Sequence, residues 1–329
     1  MKWLITGGCG FIGVSLIGRL IAEGGHDVRV LDNLSVGTQE DLNTVASTKK
    51  IKSGESANVG PISRGEKIDL IVADVRDADV VMAAAEGADV IVHLAGNTGV
   101  EPSVKDPRGD CEANVFGVLN GLEAARHQGV KRFVFASSGA PLGEVVPPIH
   151  EEMAPHPVSP YGASKLAGEG YCSAYFHTFG VETVSLRFGN VYGPGSRHKS
   201  SVVAKFIRSA MKSEELVVYG DGSQTRDFIY IADLIDALIK AATIGGIGGE
   251  VFQIATNRET SVGEMVDALV DALNAAGISD ITIRNDSPRQ GDVMRNFSDT
   301  SKAAKVLGWA PKTEMGDGLD TTISWFKND

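Results

Sequence analysis

Apolar residues in the first two-thirds of the chain gather into short runs, separated by longer stretches where they recur every three or four positions. The runs are Trp3–Thr6, Val28–Asp32, Leu70–Asp74, Val90–Leu94, Arg132–Ser137, Thr183–Phe188 and Val251–Ile254. Most are continuous rather than alternating. A strand covered on one face alternates, whereas one covered on both faces does not, so these runs predict a buried parallel sheet. Between the first two, Ile12, Leu16, Ile17, Leu20 and Ile21 fall at helical spacing. Strand and helix alternating in this way predict an α/β fold built on a doubly wound parallel sheet.

The rhythm breaks twice. Lys49–Lys67, "KKIKSGESANVGPISRGEK", has no aromatic residue and no period, and reads as a mobile surface insertion without regular structure. After about Val191, Gly/Pro-rich loops such as "YGPGSRHKSS" and "YGDGSQTRD" separate the helical patterns. This predicts a first domain over residues 1–188, with roughly 218–255 returning to its sheet. A smaller, loop-rich second domain covers 189–329.

Composition narrows the function. The 329 residues are 43% hydrophobic and 22% charged, as in a globular protein, and the formal charge is −11. An acidic chain is a poor partner for a phosphate backbone, so no nucleic-acid partner is expected. Three cysteines, Cys9, Cys111 and Cys172, have no metal spacing and suit a reducing compartment. No apolar run is long enough to span a membrane, and "MKWLITGG" lacks a leader pattern. The expectation is a cytoplasmic protein with no membrane and no metal partner.

"WLITGGCGFIGVSL" places glycines between a strand and an amphipathic helix. Gly7, Gly10 and Gly13 allow a tight turn and close backbone approach to a pyrophosphate, and Phe11 and Ile12 open a helix whose N–H groups and dipole favour an anion. Nineteen residues past Gly13, Asp32 ends the second run, followed by Asn33. A carboxylate there accepts ribose hydroxyls and repels a 2′-phosphate, and "DNLSVGTQE" has no arginine or lysine to hold one, so NAD is favoured over NADP. Asp74 and Val75 in "VADVRD" end the third run, with Asp74 placed for the adenine amino group. Leu94, Ala95 and Gly96 in "VHLAG" end another run, where small residues let the backbone pass close to a cofactor.

In "SPYGASKLAGEGY", Ser159 can cap a helix that Pro160 begins. Tyr161 and Lys165 then share one face, a turn apart. By itself that spacing belongs mostly to surface helices.

With "TGGCGFIG", "LDNLSVG", "DVRD", "HLAG", "FASSG", "YGASK", "RFGNVYGPG", "RDFIYIADL" and "GDVMRNFSDTSKA…LGWAP" in order from residue 6 to 311, the chain resembles the extended short-chain dehydrogenase/reductase family. The resemblance is to its nucleotide-sugar epimerase and dehydratase branch. It implies an NAD-binding Rossmann domain, a C-terminal nucleotide-sugar domain and a homodimer. It makes Tyr161 and Lys165 the acid/base pair, with Lys165 also on the nicotinamide ribose. Ser138 becomes the hydroxyl that bonds the reacting sugar, with Ser137 beside it structural, and Asn114 a support of the site. In the 4,6-dehydratase branch an Asp-Glu pair follows that serine, whereas Gly139 and Ala140 stand here. Neither moves a proton, so the resemblance implies a UDP-sugar 4-epimerase; a dehydratase, a decarboxylase or a non-catalytic NAD-binding regulator is the alternative. The family's usual Val-Tyr-Gly is replaced by Pro141, Leu142 and Gly143, which reshapes the wall beside the serine.

The same resemblance assigns Asn190, Arg226 and Arg289 to the diphosphate, and Asp292 to the nucleoside ribose. Planar, permanently charged arginines suit a diphosphate. Asn296 aligns with the position that gauges the sugar's C2 substituent, where a small residue admits N-acetyl groups. Arg197, His198 and Lys199 in "SRHKSS" read as a solvated basic loop.

Overall fold

The computed structural model describes residues 1–199, 201–288 and 293–328. Strands β1 (Lys2–Thr6), β2 (Asp27–Asp32), β3 (Thr48–Lys52), β4 (Ile68–Val72), β5 (Val90–His93), β6 (Arg132–Ser138) and β7 (Thr183–Phe188) join the later strand Glu250–Ile254 in one eight-stranded sheet. The order across it is Glu250–Ile254, β7, β6, β5, β1, β2, β4, β3. β1 pairs in parallel with β2 and β5, β4 with β2 and β3, and β5 with β6. Helices separate the strands along the chain, so the fold is the doubly wound, Rossmann-like sheet that the apolar runs predict.

The unbroken runs have a simple cause. Every residue of β5 is buried, as is β6 from Arg132 to Ser137, because layers cover both faces. Leu4, Leu31, Ile71 and Ile91 from the strands pack with Val118 and Leu122 of the Gly117–Gln128 helix in one core. Each such side chain contributes roughly 1.5–3 kcal/mol by leaving water. Strand order reverses between β1 and β5, so the ends of these two strands, Thr6 and His93, border the crevice where open α/β sheets take their ligands.

One expectation is corrected. Within Lys49–Lys67 the chain forms the edge strand β3 and a 3-10 helix, Ser53–Asn58. Ile51 and Ile62 enter the core. Only Ile51 of β3 is fully buried, so a single inward side chain among lysines gave no apolar run to read.

The chain divides into two compact units. The first comprises Met1–Glu144, Glu152–Arg187 and Ala237–Phe252, and contains the core just described. The second comprises Val145–Glu151, Phe188–Asp236 and Gln253–Asp329. In it, helices Val202–Met211, Val262–Ala275 and Met315–Asn328 gather Ile207, Leu269, Leu273, Leu319 and Ile323 into a separate core. Asp227 ties its loops together, accepting from the backbone N–H groups of Thr256, Asn257 and Ser298. Among the described residues no helix is long and apolar enough to cross a membrane, and no group of acidic, histidine or cysteine side chains could hold a metal ion.

Candidate active site

The glycine loop packs against both of its neighbours. At Gly7 (φ 70°) a Cβ would fall 2.7 Å from the Ala95 nitrogen and 2.9 Å from the Leu94 carbonyl carbon, so the turn after β1 rests directly on the chain leaving β5. At Gly13 a Cβ would lie 2.6 Å from both Gly7 O and Gly8 Cα. The Phe11–Glu23 helix therefore abuts the loop with no room for a side chain. Gly10 precedes that helix in an extended conformation, and no side chain caps the first turn. An uncapped helix start on a glycine loop is a ready seat for a phosphate.

Asp32 is buried at the end of β2. Its Oδ2 accepts the Cys9 N–H at 2.9 Å and its Oδ1 accepts the Leu34 N–H at 2.8 Å. Burial raises its pKa, and those two bonds oppose the rise. Asn33 Nδ2 donates to Asp74 Oδ2 at 3.0 Å, which brings these two predicted residues together. Asp74 lies in the turn beyond β4, not at a strand end, because β4 stops at Val72. The Arg76 guanidinium, bonded to it twice at 2.9 Å, holds its carboxyl down at about 2. Val75 is buried, and its carbonyl accepts from Asn120 Nδ2. A side-chain-free cradle and a buried carboxylate at the end of β2 suit the uncharged ribose hydroxyls of NAD. The residues present fit that cofactor.

From the loop the contacts run on to the tyrosine and lysine. Ser159 caps the Pro160–Phe179 helix through the Gly162 N–H, as its sequence predicts. Tyr161 lies beside Ser138 at the end of β6, and the Ser138 Oγ accepts the Ala140 N–H at 3.2 Å. The turn Ala140–Leu142 buries Pro141 and Leu142 while leaving the serine on Tyr161. Burial raises the phenol's pKa; the neighbouring Ser138 hydroxyl lowers it and Asp110 raises it further. Lys165 is 5% exposed, and its Nζ donates to Ala136 O at 2.8 Å. The ammonium lies 4.9 Å from the Phe135 ring centroid and 5.8 Å from that of Tyr161. Burial brings its pKa down to about 8, against the opposing charges of Asp110 and Glu169. A Cβ on Gly96 would sit 2.5 Å from Asn114 Oδ1 and 3.7 Å from Lys165 Nζ, so the chain after β5 reaches this lysine.

Asn114 is buried inside a π turn, Glu112–Phe116. Such turns interrupt α-helices most often at functional sites. Its Nδ2 faces Asn97 O (3.0 Å), Asp110 Oδ1 (3.0 Å) and Ser164 Oγ (3.2 Å). Ser137, next to Ser138, turns away and donates to Glu169 Oε1 at 2.5 Å. Asp110 and Glu169 are the groups that sequence reasoning missed. The available signal was their spacing, each four residues from Asn114 or Lys165 along a helix.

In the second unit, strand Asn190–Tyr192 pairs with Phe228–Tyr230, and Asn190 N–H donates to Asp227 O at 2.7 Å. Arg226 stands next to that aspartate, its Nη1 donating to the carbonyls of Thr225 and Val293, each at 2.7 Å. Thr225 N–H meets Met294 O, so Asn190, Arg226 and the segment leading to the partly exposed Asn296 are neighbours. Arg289 and Asp292 lie outside the described residues. Of the basic residues expected in a solvated loop, His198 is exposed, but Arg197 and Lys199 are held against the second unit. Arg208 donates to the carbonyls of Arg197 and Lys199, Ser196 is buried, and Lys199 Nζ donates to Val191 O at 2.7 Å. Burial brings Lys199 down to about 8.

The UDP-glucose 4-epimerase of Mycolicibacterium smegmatis is 35% identical to this chain, covering 100% of it and 99% of the relative. The dTDP-glucose 4,6-dehydratase of Streptomyces niveus is 30% identical over 100% of this chain and 94% of its own. The crystal structure of UDP-glucose 4-epimerase with UDP-glucose from Thermotoga maritima superposes with a TM-score of 0.87 at 32% identity, covering 100% of this chain and 99% of that one. Residues 3–255 match the NAD dependent epimerase/dehydratase family. With a glycine loop at the switch of a doubly wound sheet and relatives similar over their whole length, this chain belongs to the NAD dependent epimerase/dehydratase family, whose cofactor is NAD.

Proposed function

We propose that the protein is an NAD-dependent 4-epimerase of UDP-sugars that interconverts UDP-glucose and UDP-galactose, and their N-acetylated forms, through a 4-keto sugar. The observation that carries this reading is the contact of Tyr161 with Ser138, one helical turn from Lys165, where Gly139 and Ala140 follow the serine. Similarity alone does not choose the reaction, because epimerases and a dehydratase both match over nearly the whole chain.

Tyr161 takes the proton of the C4 hydroxyl, which Ser138 holds by a hydrogen bond. A phenol titrates near 10 and needs nearby positive charge to act as a base at neutral pH. The Lys165 ammonium supplies that charge and bonds the nicotinamide ribose. NAD, when bound, supplies reversible acceptance of the hydride that leaves C4. With no acid after Ser138, nothing removes water from C5 and C6, so the 4-ketone turns over and is reduced on its opposite face. Residues 1–188 hold NAD through Gly7, Gly10, Phe11, Ile12 and Gly13, with Asp32 and Asn33 at the ribose, Asp74 and Val75 at the adenine, and Leu94, Ala95 and Gly96 beside the cofactor. Residues 189–329 hold the nucleotide sugar: Asn190, Arg226 and Arg289 at the diphosphate, Asp292 at the ribose, Asn296 at the C2 substituent. The active form is a homodimer.

The test is incubation with UDP-galactose, UDP-glucose, UDP-N-acetylglucosamine and dTDP-glucose, followed by proton NMR and mass spectrometry. Inversion at C4 with constant mass is expected. Loss of water refutes the reading, and turnover confined to sugars without the acetyl group removes the role given to Asn296.

A further inference from the structure

A buried carboxylate beside Lys165 takes no part in the chemistry above. Asp110 is 2% exposed and ends the short Pro107–Cys111 helix, directly before the π turn that holds Asn114. Its Oδ1 accepts from Asn114 Nδ2 at 3.0 Å, and the same Nδ2 faces the Oγ of Ser164, the residue before Lys165, at 3.2 Å. Its Oδ2 is buried without a hydrogen-bond partner. A carboxylate sealed in this way, bonded only to neutral groups, is costly unless its charge does something nearby.

The groups facing Lys165 are few. On its own helix stand Tyr161 and Glu169, and Glu169 is matched by Arg187 at 2.7 Å. β6 offers the Ala136 carbonyl and the Phe135 ring. β5 offers His93, which burial keeps neutral, its pKa pulled down to about 3. The Pro107–Cys111 helix offers Asp110, capped at its start by Asp106. Among the described residues, Asp110 is thus the one facing carboxylate whose charge no cation neutralises by direct contact. Asn114 links the two groups, because its Nδ2 bonds Asp110 while its Oδ1 and the Lys165 Nζ border the same space at Gly96.

We propose that Asp110 is a positioning residue whose buried negative charge keeps the Lys165 ammonium protonated beside Tyr161. Lys165 is 5% exposed, so its ammonium depends on neighbouring charge to stay charged near neutral pH. Asp110 acts through Lys165 and takes no proton from substrate. The inference rests on the reading of Tyr161 and Lys165 as the proton-transferring pair.

The test measures the lysine itself. In full-length protein labelled with 13C-lysine, the Lys165 side-chain resonance is identified by its loss in Lys165→Met and titrated by NMR. In Asp110→Asn the midpoint is expected to fall by roughly one pH unit. The alkaline limb of UDP-galactose turnover should fall with it, whereas a merely structural role would lower turnover equally at every pH. Asp110→Ser, smaller and still able to accept from Asn114, should move the midpoint in the same direction and serves if the first variant does not fold. A folded variant with an unmoved Lys165 midpoint overturns the proposal. A lowered midpoint with an unmoved pH profile supports the charge coupling and refutes the part given to Lys165 in turnover.

Discussion

Arg187 holds Glu169 at two points inside the first unit: Nε donates to Oε1 at 2.8 Å and Nη2 to Oε2 at 2.7 Å, with both side chains buried. Glu169 lies one turn beyond Lys165 on the Pro160–Phe179 helix, Arg187 is on β7, and Ser137 on β6 completes the contact. The helix that bears Tyr161 and Lys165 is therefore pinned to two strands at one place. Arg187→Leu leaves a carboxylate buried and unmatched, and is expected to cost about 3–5 kcal/mol. Adding Glu169→Leu should recover much of that loss, because two apolar groups carry no desolvation debt. Urea denaturation of both variants measures this; a loss below about 1 kcal/mol in the single variant shows that the pair contributes little.

Tyr161→Phe removes one oxygen and leaves the ring, the helix cap at Ser159 and the Lys165 contact with Ala136 in place. Turnover of UDP-galactose should fall by at least about a hundredfold, the usual range for losing a general acid/base. The affinity for NAD, read by fluorescence quenching, should stay close to that of the unaltered protein. Unchanged turnover refutes the tyrosine as the base, and lost NAD binding would instead make it a cofactor contact.

The contrast between strands shows why some of this structure is legible in the sequence. Val90–His93 reads as a buried strand because both faces are covered, so no polar position interrupts it. Thr48–Lys52 does not, since it lies at the sheet edge and sets one buried isoleucine among lysines, which suit an edge exposed to solvent. The neighbourhood of Tyr161 and Lys165 divides in the same way. Their shared face follows from helical spacing, and the Ser159 cap from residue type. Asn114 meets Ser164 across 50 residues, and Glu169 reaches a strand that periodicity does not link to it. The buried network around Lys165 is set by which elements the sheet brings together, and no local pattern encodes that.

Gly13→Ala tests the close approach of helix and loop. Its Cβ would meet the backbone of Gly7 and Gly8 at 2.6 Å, where no flexible side chain can move aside. The helix must shift off the loop, at a cost of about 1–3 kcal/mol typical of overpacking. NAD affinity should fall at least tenfold, because the loop and the first helical turn no longer share one geometry. Thermal unfolding and NAD titration read the two effects separately. Full NAD affinity in a protein that still folds would show that the loop does not hold the pyrophosphate.

His93 should govern part of the acid limit of stability. It is 1% exposed and stacked on Phe133, with Nδ1 3.0 Å from Thr6 Oγ1 and Nε2 buried without a partner. Burial, with a smaller push from the Lys165 ammonium, takes its pKa from 6.5 down to about 3. Between those values the unfolded chain binds a proton that the folded chain refuses. Stability therefore falls as the pH drops from 6.5 towards 3, by about 1.4 kcal/mol per pH unit from this group, and is unaffected by it above 6.5. His93→Asn keeps a polar group near Thr6 and cannot titrate. The variant should be less stable at pH 7.5, since asparagine fills less of the space against Phe133, yet lose less on acidification. Urea midpoints at pH 7.5, 6.0 and 5.0 give both slopes. If the variant's midpoint falls as steeply as that of the unaltered protein, the acid sensitivity belongs to other groups and His93 is protonated without unfolding.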